Sequence, residues 1–315
     1  MQLRTIGKTG LKVTAMSYGT WQTFGESVNV AEAEEIVKTA WESGIRTFDG
    51  AEAYAMGKAD EMMGNVLKKM GWSREDYVLT GKCIRNQAGD DMHHGISRKR
   101  LRSCCENTLR NYHTDYLDLF FCHRPDGNTP PEEIVISMNA LIQQGKILYW
   151  GTSEFDPMTL ERMWQFASKN GMEGPVVEQT GYNLLGRDRM ENVLVPLFEK
   201  WGMGSTVYSP IAAGQLSGKY NDGIPEGTRL ADHEWLRNQL TDERIGQLKA
   251  IQGIADDLGV SMAELAYAWT LKNPNVSTCI MGARKPEQVS RNVRALDVVE
   301  KLTPEVMEKL DAVCG

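Results

Sequence analysis

The segment YLDLFFCHRPDGNTPPEEIVISMNALIQQGKILYWG (residues 116–151) contains one complete repeat of the pattern that decides the fold. It begins with an apolar run over residues 116–121, continues with a helical pattern over residues 131–144, and ends with a second apolar run over residues 147–151. Apolar runs without polar alternation are typical of strands covered on both faces, and a helix between two such strands makes a right-handed parallel crossover. The segment therefore predicts a β-α-β unit.

The same alternation extends over the rest of the chain. Further strands are predicted over residues 14–19, 45–48, 77–80, 176–178, 203–208 and 277–281, and further helices over residues 31–42, 58–69, 98–111, 157–169, 190–200, 262–272 and 286–295. Eight strands and eight helices predict a single α/β domain over residues 1–315 that closes into a (β/α)8 TIM barrel. The first fourteen residues predict an N-terminal β-hairpin at the bottom of the barrel, and extra helices are expected at the C-terminus.

An open doubly wound sheet is the competing architecture. No strand-to-helix turn carries the dinucleotide-binding pattern G-x-G-x-x-G, and no linker rich in Pro, Gly or Ser divides the chain. Both observations favour the barrel. The longest stretch predicted to be irregular, residues 209–240, is rich in glycine and polar residues, and so long a loop in a compact domain usually serves function.

Composition excludes several classes of protein. The 35 Lys and Arg residues against 42 Asp and Glu residues give a net charge of −7, whereas nucleic-acid-binding proteins usually carry a basic surplus. No apolar run approaches the roughly 18 residues that a membrane span requires, and the N-terminus lacks the apolar core of a signal peptide. The six cysteines form no CxxC pair and indicate free thiols, so we expect a cytoplasmic protein.

Four ionisable side chains of different types follow three successive predicted strands. Asp49 and Tyr54 belong to FDGAEAY (residues 48–54), Lys82 ends VLTGK, and His123 ends LFFCH. Because the carboxyl ends of barrel strands carry active sites, we expect these side chains to meet there. The ammonium would lower the pKa of the phenol, the carboxylate would hold the ammonium, and the imidazole would orient a carbonyl group. The set can protonate an oxygen but contains no obvious nucleophile and no metal-ligand spacing, so hydride would come from a cofactor.

Specific motifs resemble a known family. FDGAEAYAMGKADEMMG, VLTGK, YLDLFFCHRPD and YWGTSEF are similar to segments of the aldo-keto reductases, and the resemblance covers about residues 3–302. The segments EQTGYNLLGRDRMENVLVPLFEKWGMG, YSPIAAGQLSGKY and MGARKPEQVSRN resemble the branch of voltage-gated potassium channel β-subunits and related reductases. The resemblance implies a catalytic tetrad of Asp49, Tyr54, Lys82 and His123, with Tyr54 as general acid and NADPH as hydride donor.

The resemblance also implies a set of contacts to NADPH or NADP+. Ser153 and Gln179 would hold the nicotinamide amide, and Tyr208, in a position that is often Trp in this branch, would stack on the nicotinamide ring. The remaining implied contacts are Ser209, Pro210, Ile211, Ala212, Gly214, Gln215, Lys219, Arg229, Arg284, Gln288 and Asn292. Arg284 matches the group that faces the 2′-phosphate, and its place beside a predicted helix N-terminus favours NADPH over NADH.

We therefore expect an NADPH-dependent reductase of a small aldehyde or ketone, with Trp21 and Phe155 lining the substrate pocket. Members of this branch often form homo-oligomers, and neither a metal nor membrane insertion is expected. The alternative is a redox-sensing regulatory β-subunit of a membrane potassium channel. A complete tetrad favours catalysis, since animal channel subunits usually carry Asn in the position of His123. The chain starts at the predicted hairpin, so we expect none of the N-terminal extension with which some channel subunits plug a pore.

Overall fold

The computed structural model describes residues 1–83, 95–232 and 234–315. Eight parallel strands close into a barrel, which confirms the predicted TIM barrel, and an antiparallel pair precedes them. The hairpin strands are β1 (Leu3–Thr5) and β2 (Lys12–Thr14), and the barrel strands are β3 (Met16–Gly19), β4 (Thr47–Asp49), β5 (Val78–Cys83), β6 (Leu117–Cys122), β7 (Ile147–Ser153), β8 (Val177–Gly181), β9 (Gly204–Tyr208) and β10 (Thr278–Met281).

Helices cover the outside of the barrel. They are α1 (Val30–Glu42), α2 (Lys58–Met70), α3 (Arg98–Tyr112), α4 (Pro131–Gln143), α5 (Pro157–Lys169), α6 (Val195–Trp201), α7 (Arg229–Asp232), α8 (Glu234–Arg237), α9 (Asp242–Asp257), α10 (Met262–Lys272), α11 (Pro286–Val293), α12 (Ala295–Val298) and α13 (Pro304–Cys314). The sequence did not predict α9, because it buries only Leu248, Ile251 and Ala255 and therefore lacks a broad apolar stripe. Residues 209–240 also contain α7, α8 and a 3₁₀ turn at Ala212–Ser217.

The first and last barrel strands pair with each other. Met16 of β3 lies opposite Cys279 of β10, and the register continues to Tyr18 and Met281. The Tyr18 hydroxyl, which is fully buried, donates a 2.8 Å hydrogen bond to the Ala283 carbonyl, across 265 positions of sequence. Closure leaves no free strand edge in the barrel.

The N-terminal hairpin seals the amino end of the barrel. Ile6 and Val13 are buried in one apolar cluster with the barrel residues Leu119, Phe121 and Val177. The Thr14 hydroxyl of β2 also donates a 3.0 Å hydrogen bond to the Thr47 hydroxyl at the start of β4. A ligand therefore reaches the barrel interior from the opposite end, where the carboxyl ends of the strands lie.

Gly64 permits the closest approach of α2 to α3. A Cβ atom there would lie 2.1 Å from the carbonyl oxygen of Asn111 and 2.7 Å from the Cα atom of Tyr112, both in the backbone of α3. We expect Gly64→Ala to lower the free energy of unfolding by about 1–3 kcal/mol, because the two helices must separate. The shift of the urea unfolding midpoint measures this loss.

Gly246→Ala provides the matched control, since a Cβ atom at that position in α9 would meet nothing within 4 Å. There we expect a small stabilisation of about 0.5–1 kcal/mol, because alanine favours a helix more than glycine does. Equal urea midpoints for the two variants would show that the contact between α2 and α3 does not require a glycine at position 64.

Candidate functional site

Four predicted side chains meet at the carboxyl end of the barrel. Asp49 ends β4, Lys82 lies at the end of β5, and His123 directly follows β6. Tyr54 enters from the short 3₁₀ turn Tyr54–Gly57 between β4 and α2. Parallel neighbours place these strand ends side by side, since Asp49 lies opposite Thr80 and the backbone N–H of His123 donates to the Cys83 carbonyl.

The Lys82 ammonium is the centre of this group. It is 0% exposed and donates to Asp49 Oδ2 at 2.6 Å, to the Gly50 carbonyl at 2.7 Å and to the Tyr54 hydroxyl at 3.5 Å. An ammonium has three donors, so these three acceptors fix its orientation. Burial lowers the pKa of Lys82, and the adjacent Asp49 carboxylate opposes that effect.

Asp49 is held on its other side as well. Its Oδ1 accepts a hydrogen bond from the Thr80 hydroxyl at 2.8 Å and another from the Gln179 amide at 3.2 Å. The Gln179 amide also donates to the Thr206 hydroxyl at 3.0 Å. Gln179, which the family resemblance assigned to the cofactor, therefore also positions the carboxylate that holds Lys82.

His123 is a neutral imidazole directed at Tyr54. Its ring lies 5.7 Å from the Tyr54 ring in an edge-to-face arrangement, and the side chain is 8% exposed. Burial, followed by the positive charges of Lys82 and Arg124, holds the pKa of His123 well below its ordinary value. Among the described residues, Nδ1 has no hydrogen-bond partner. A neutral imidazole has one nitrogen that donates and one that accepts, so the ring could form a hydrogen bond with a polar ligand group.

The net pKa shift of Tyr54 is opposite to the lowering that the sequence predicted. Burial raises the pKa of the Tyr54 hydroxyl well above its ordinary value, the Asp49 carboxylate raises it further, and the Arg124 guanidinium only partly opposes them. The main reason is burial, because a hydroxyl shielded from water favours the neutral phenol over the phenolate. Tyr54 is thus protonated at neutral pH, as a proton donor must be.

Gly50, Tyr112 and Asp60 pack next to Lys82 and support its position. A Cβ atom on Gly50 would lie 1.9 Å from the Tyr112 hydroxyl, so only glycine lets the phenol lie against this turn. The Tyr112 hydroxyl in turn donates a 2.9 Å hydrogen bond to Asp60, whose burial raises its pKa to about 7. Sequence reasoning did not find Tyr112 or Asp60, because both lie on helices and far from the strand ends.

Strained backbone also concentrates at this end of the barrel. Seven non-glycine residues in loops after barrel strands have left-handed φ angles, namely Gln22, Ala55, Met56, Glu154, Ser209, Ala212 and Ala213. Each costs about 1–2 kcal/mol relative to a helical or extended backbone, and such residues cluster at functional sites. Three of them, Ser209, Ala212 and Ala213, belong to the loop after β9 that contains several of the cofactor contacts implied by the resemblance.

Ser153 and Tyr208 end the strands β7 and β9, and Gln179 lies in the middle of β8 between them. The Tyr208 side chain is held in place by its hydroxyl, which donates a 3.0 Å hydrogen bond to Glu154. Glu154 also accepts from the Gly181 backbone N–H at 3.1 Å and from the Thr180 hydroxyl at 3.1 Å. Glu154 therefore fixes the Tyr208 ring over the end of β8, a contact that the sequence did not reveal.

The remaining predicted cofactor residues line the loop after β9 and the start of α11. Pro210, Gly214 and Gln215 are buried, Ile211 and Ala212 are partly buried, and the Lys219 ammonium lies 4.9 Å from the centre of the Tyr220 ring. The side-chain amide oxygen of Gln215 (Oε1) is buried and has no hydrogen-bond partner among the described residues.

The predicted cofactor residues around α11 differ in exposure. Arg284 is exposed and Gln288 is partly buried. The Gln288 side-chain oxygen accepts hydrogen bonds from the backbone N–H groups of Arg284 and Lys285, at 2.7 and 3.1 Å. Asn292 is buried, and its amide donates to the Tyr267 hydroxyl at 3.5 Å. The side chain of Arg229 lies outside the described part of the chain.

The two predicted pocket residues differ in exposure. Trp21 is 42% exposed, and its ring lies 6.5 Å from the Tyr54 ring. Phe155 is 1% exposed and belongs to the main hydrophobic core. Trp21 thus borders Tyr54, whereas the Phe155 ring lies in the core and is not accessible in this structure.

One further cation lies among these groups. Arg124 follows His123 and donates 2.7 Å to the Ser153 hydroxyl and 2.6 Å to the His123 carbonyl. Its guanidinium lies 6.0 Å from the centre of the Tyr208 ring. The motif CHRPD contains this residue, but no strand-end argument distinguishes Arg124 from an ordinary turn residue.

Glu52, Cys83 and Cys104 bring three potential metal-ligand atoms within 4.8 Å of one another. However, the Arg100 guanidinium is bonded to Glu52, and burial raises the pKa of the Cys104 thiol well above its ordinary value. Both effects oppose the binding of a cation. All six cysteines are free.

The sequence profile of the aldo/keto reductase family matches residues 15–314. Two proteins described as probable voltage-gated potassium channel subunit beta, from Oryza sativa subsp. japonica and Arabidopsis thaliana, are each 41% identical over 317 residues, with 99% of this chain and 96% of each relative covered. A putative voltage-gated potassium channel subunit beta from Schizosaccharomyces pombe is 43% identical over 318 residues, with 98% and 92% covered. Within the described parts of the chain, no helix has both the length and the apolar character needed to cross a membrane.

Proposed function

The chain belongs to the aldo/keto reductase family, and from this premise we propose that it is an NADPH-dependent reductase of aldehydes or ketones in which Tyr54 donates the proton. The observation that carries the proposal is the arrangement at Lys82, whose ammonium contacts both the Asp49 carboxylate and the Tyr54 hydroxyl. Family membership itself implies an oxidoreductase. The nucleotide preference, the carbonyl substrate and the role of Tyr54 are the proposed parts.

Each residue of the tetrad has a definite task in this proposal. A bound nicotinamide would supply a hydride to the carbonyl carbon. Tyr54 gives its proton to the carbonyl oxygen, because an alkoxide is far more basic than a phenolate even when burial has raised the phenol pKa. Lys82 then lies 3.5 Å from the new phenolate and stabilises its charge, while Asp49 fixes Lys82. His123 orients the carbonyl through a ring nitrogen.

The residues present fit a dinucleotide. The buried side-chain oxygen Oε1 of Gln215 has no hydrogen-bond partner among the described residues and can accept a hydrogen bond from a ligand amine or hydroxyl group. The left-handed backbone at Ser209, Ala212 and Ala213 shapes the loop beside it. Arg284 and Lys285 are exposed cations at the start of α11, where a phosphate monoester gains charge-assisted hydrogen bonds. The location we propose is the cytosol, where free thiols such as the six cysteines persist.

The experiment that tests this function combines dinucleotide binding with a screen of turnover. Titration with NADPH and with NADH, followed by fluorescence, should show tighter binding of NADPH. Oxidation of NADPH, followed by absorbance over a panel of aldehydes, ketones and quinones, should show turnover for at least one class. Tight NADPH binding without turnover on any carbonyl would refute the reductase proposal.

A second function is favoured by the names of the relatives. The rice, Arabidopsis and fission-yeast proteins are described as β-subunits of voltage-gated potassium channels. On this alternative, the chain would bind a membrane channel and report the redox state of its dinucleotide. A stoichiometric membrane partner recovered with the protein, together with negligible turnover, would favour this alternative over the reductase.

A further inference from the structure

Arg124 places a positive charge next to the proton donor. Its guanidinium contacts Ser153 at the end of β7, lies near the Tyr208 ring at the end of β9, and follows His123 at the end of β6. Its positive charge lowers the pKa of Tyr54 and of His123, so its electrostatic field reaches both groups that would contact a carbonyl. Arg124 is only partly buried, which leaves it accessible from the open end of the barrel.

Two other cations at the carboxyl ends of the strands are paired with carboxylates. Lys82 pairs with Asp49 at 2.6 Å, and Arg189 pairs with Glu154 at 3.2 Å and Glu178 at 3.3 Å. In contrast, no carboxylate oxygen of a described residue lies within 4.0 Å of Arg124, whose two hydrogen bonds go to uncharged oxygens. The charge of Arg124 is therefore available to an anion.

The geometry of the guanidinium suits one kind of ligand. Both hydrogen bonds of Arg124 to described residues use Nη1, so donors on Nε and Nη2 remain for another group. A planar guanidinium binds the oxygens of a carboxylate or a phosphate through two parallel hydrogen bonds, which an uncharged carbonyl or hydroxyl group cannot match.

We propose that Arg124 forms an oxyanion subsite beside the reacting carbonyl, so that the preferred substrates are aldehydes or ketones that carry a carboxylate or a phosphate group. This inference rests on the proposed carbonyl reduction and names its substrate class. It assigns Arg124 to substrate recognition, whereas the competing role is to position Ser153, through the 2.7 Å hydrogen bond, for a dinucleotide.

Matched pairs of substrates separate these two roles. The charged members are 4-carboxybenzaldehyde, 4-formylphenyl phosphate and 4-oxobutanoate, and their uncharged partners are methyl 4-formylbenzoate, 4-methoxybenzaldehyde and methyl 4-oxobutanoate. For wild-type protein, we expect kcat/KM to favour the charged member by about tenfold or more in at least one pair, as charge-assisted hydrogen bonds allow. The pair with the largest ratio tells whether a carboxylate or a phosphate is preferred.

Substitution of Arg124 tests the assignment directly. Arg124→Gln should reduce the ratio to about one by lowering kcat/KM for the charged member much more than for its uncharged partner, and Arg124→Lys should retain part of the preference because it keeps a point charge. Arg102→Gln, on the exposed face of α3, removes the same charge from a distant site and should leave the ratio unchanged. An equal loss for both members of a pair in Arg124→Gln, or a wild-type ratio near one, would overturn the subsite.

A binding measurement keeps this test independent of turnover. Quenching of tryptophan fluorescence can report binding of 4-(hydroxymethyl)benzoate and of its methyl ester to protein saturated with NADPH, because Trp21, one of the eight tryptophans, lies 6.5 Å from the Tyr54 ring. We expect wild-type protein to prefer the charged alcohol and Arg124→Gln to lose that preference while its melting temperature stays unchanged. If no carbonyl is reduced but the charged ligand still binds through Arg124, the proposed function fails and the subsite stands.

Discussion

Tyr54→Phe will lower kcat by about 10²–10⁴-fold, because the substitution removes the proton that the carbonyl oxygen must receive. The phenyl ring can keep its edge-to-face contact with His123, so the geometry of the site should survive. The affinity for NADPH should stay within about twofold, since a group that acts only in the transition state contributes little to ground-state binding. Steady-state kinetics and a fluorescence titration measure the two quantities.

The control for this variant is Tyr149→Phe. Tyr149 lies on β7 and packs against the small cluster at the closed end of the barrel, so its hydroxyl takes no part in the proposed chemistry. We expect its kcat to match that of the wild type. Near-normal turnover in Tyr54→Phe would reject Tyr54 as the acid, whatever the control shows.

Lys82→Met will destabilise the fold as well as abolish turnover. It leaves the Asp49 carboxylate, which is almost fully buried, without its cation, and breaking such a buried pair costs about 3–5 kcal/mol of the free energy of unfolding. The double variant Lys82→Met/Asp49→Asn should recover part of that stability, because the amide is uncharged, but none of the activity. Urea unfolding midpoints and NADPH oxidation separate the two effects.

An exposed ion pair on the same barrel provides the control for the loss of stability expected in Lys82→Met. The Lys69 ammonium lies 2.6 Å from Glu34 but its side chain is largely exposed, so Lys69→Met should cost no more than about 1 kcal/mol. A double variant at residues 82 and 49 that is no more stable than Lys82→Met alone would show that the charge on Asp49 is not the source of the loss.

The sequence predicted the barrel and the meeting of the strand-end side chains because both follow from strand order. Apolar runs alternate with helices, and parallel strands bring their carboxyl ends together, so Asp49, Lys82 and His123 had to lie on one rim. Helix α9 was not predicted, since its sparse apolar positions and internal Gly246 and Gly253 weaken the pattern that identifies a helix.

The supporting residues could not be predicted for a different reason. Glu154, Tyr112 and Asp60 act through hydrogen bonds to residues 52 or 54 positions away, and no local pattern encodes such contacts. The sequence also could not predict the direction of the Tyr54 pKa shift, because that shift depends on how deeply the hydroxyl is buried and on which charges surround it. Sequence indicates which charges converge, whereas the balance among them requires coordinates.

The pairing of β3 with β10 has a consequence for biosynthesis. When the ribosome has made the first nine strands, β3 has formed one of its two pairings and its outer side still awaits β10. A nascent chain at that stage presents an open strand edge, which is a template for aggregation, until the segment containing Cys279 emerges. Completion of the barrel is therefore a late event, and we expect the growing polypeptide to depend on chaperones more than a protein whose sheets close locally.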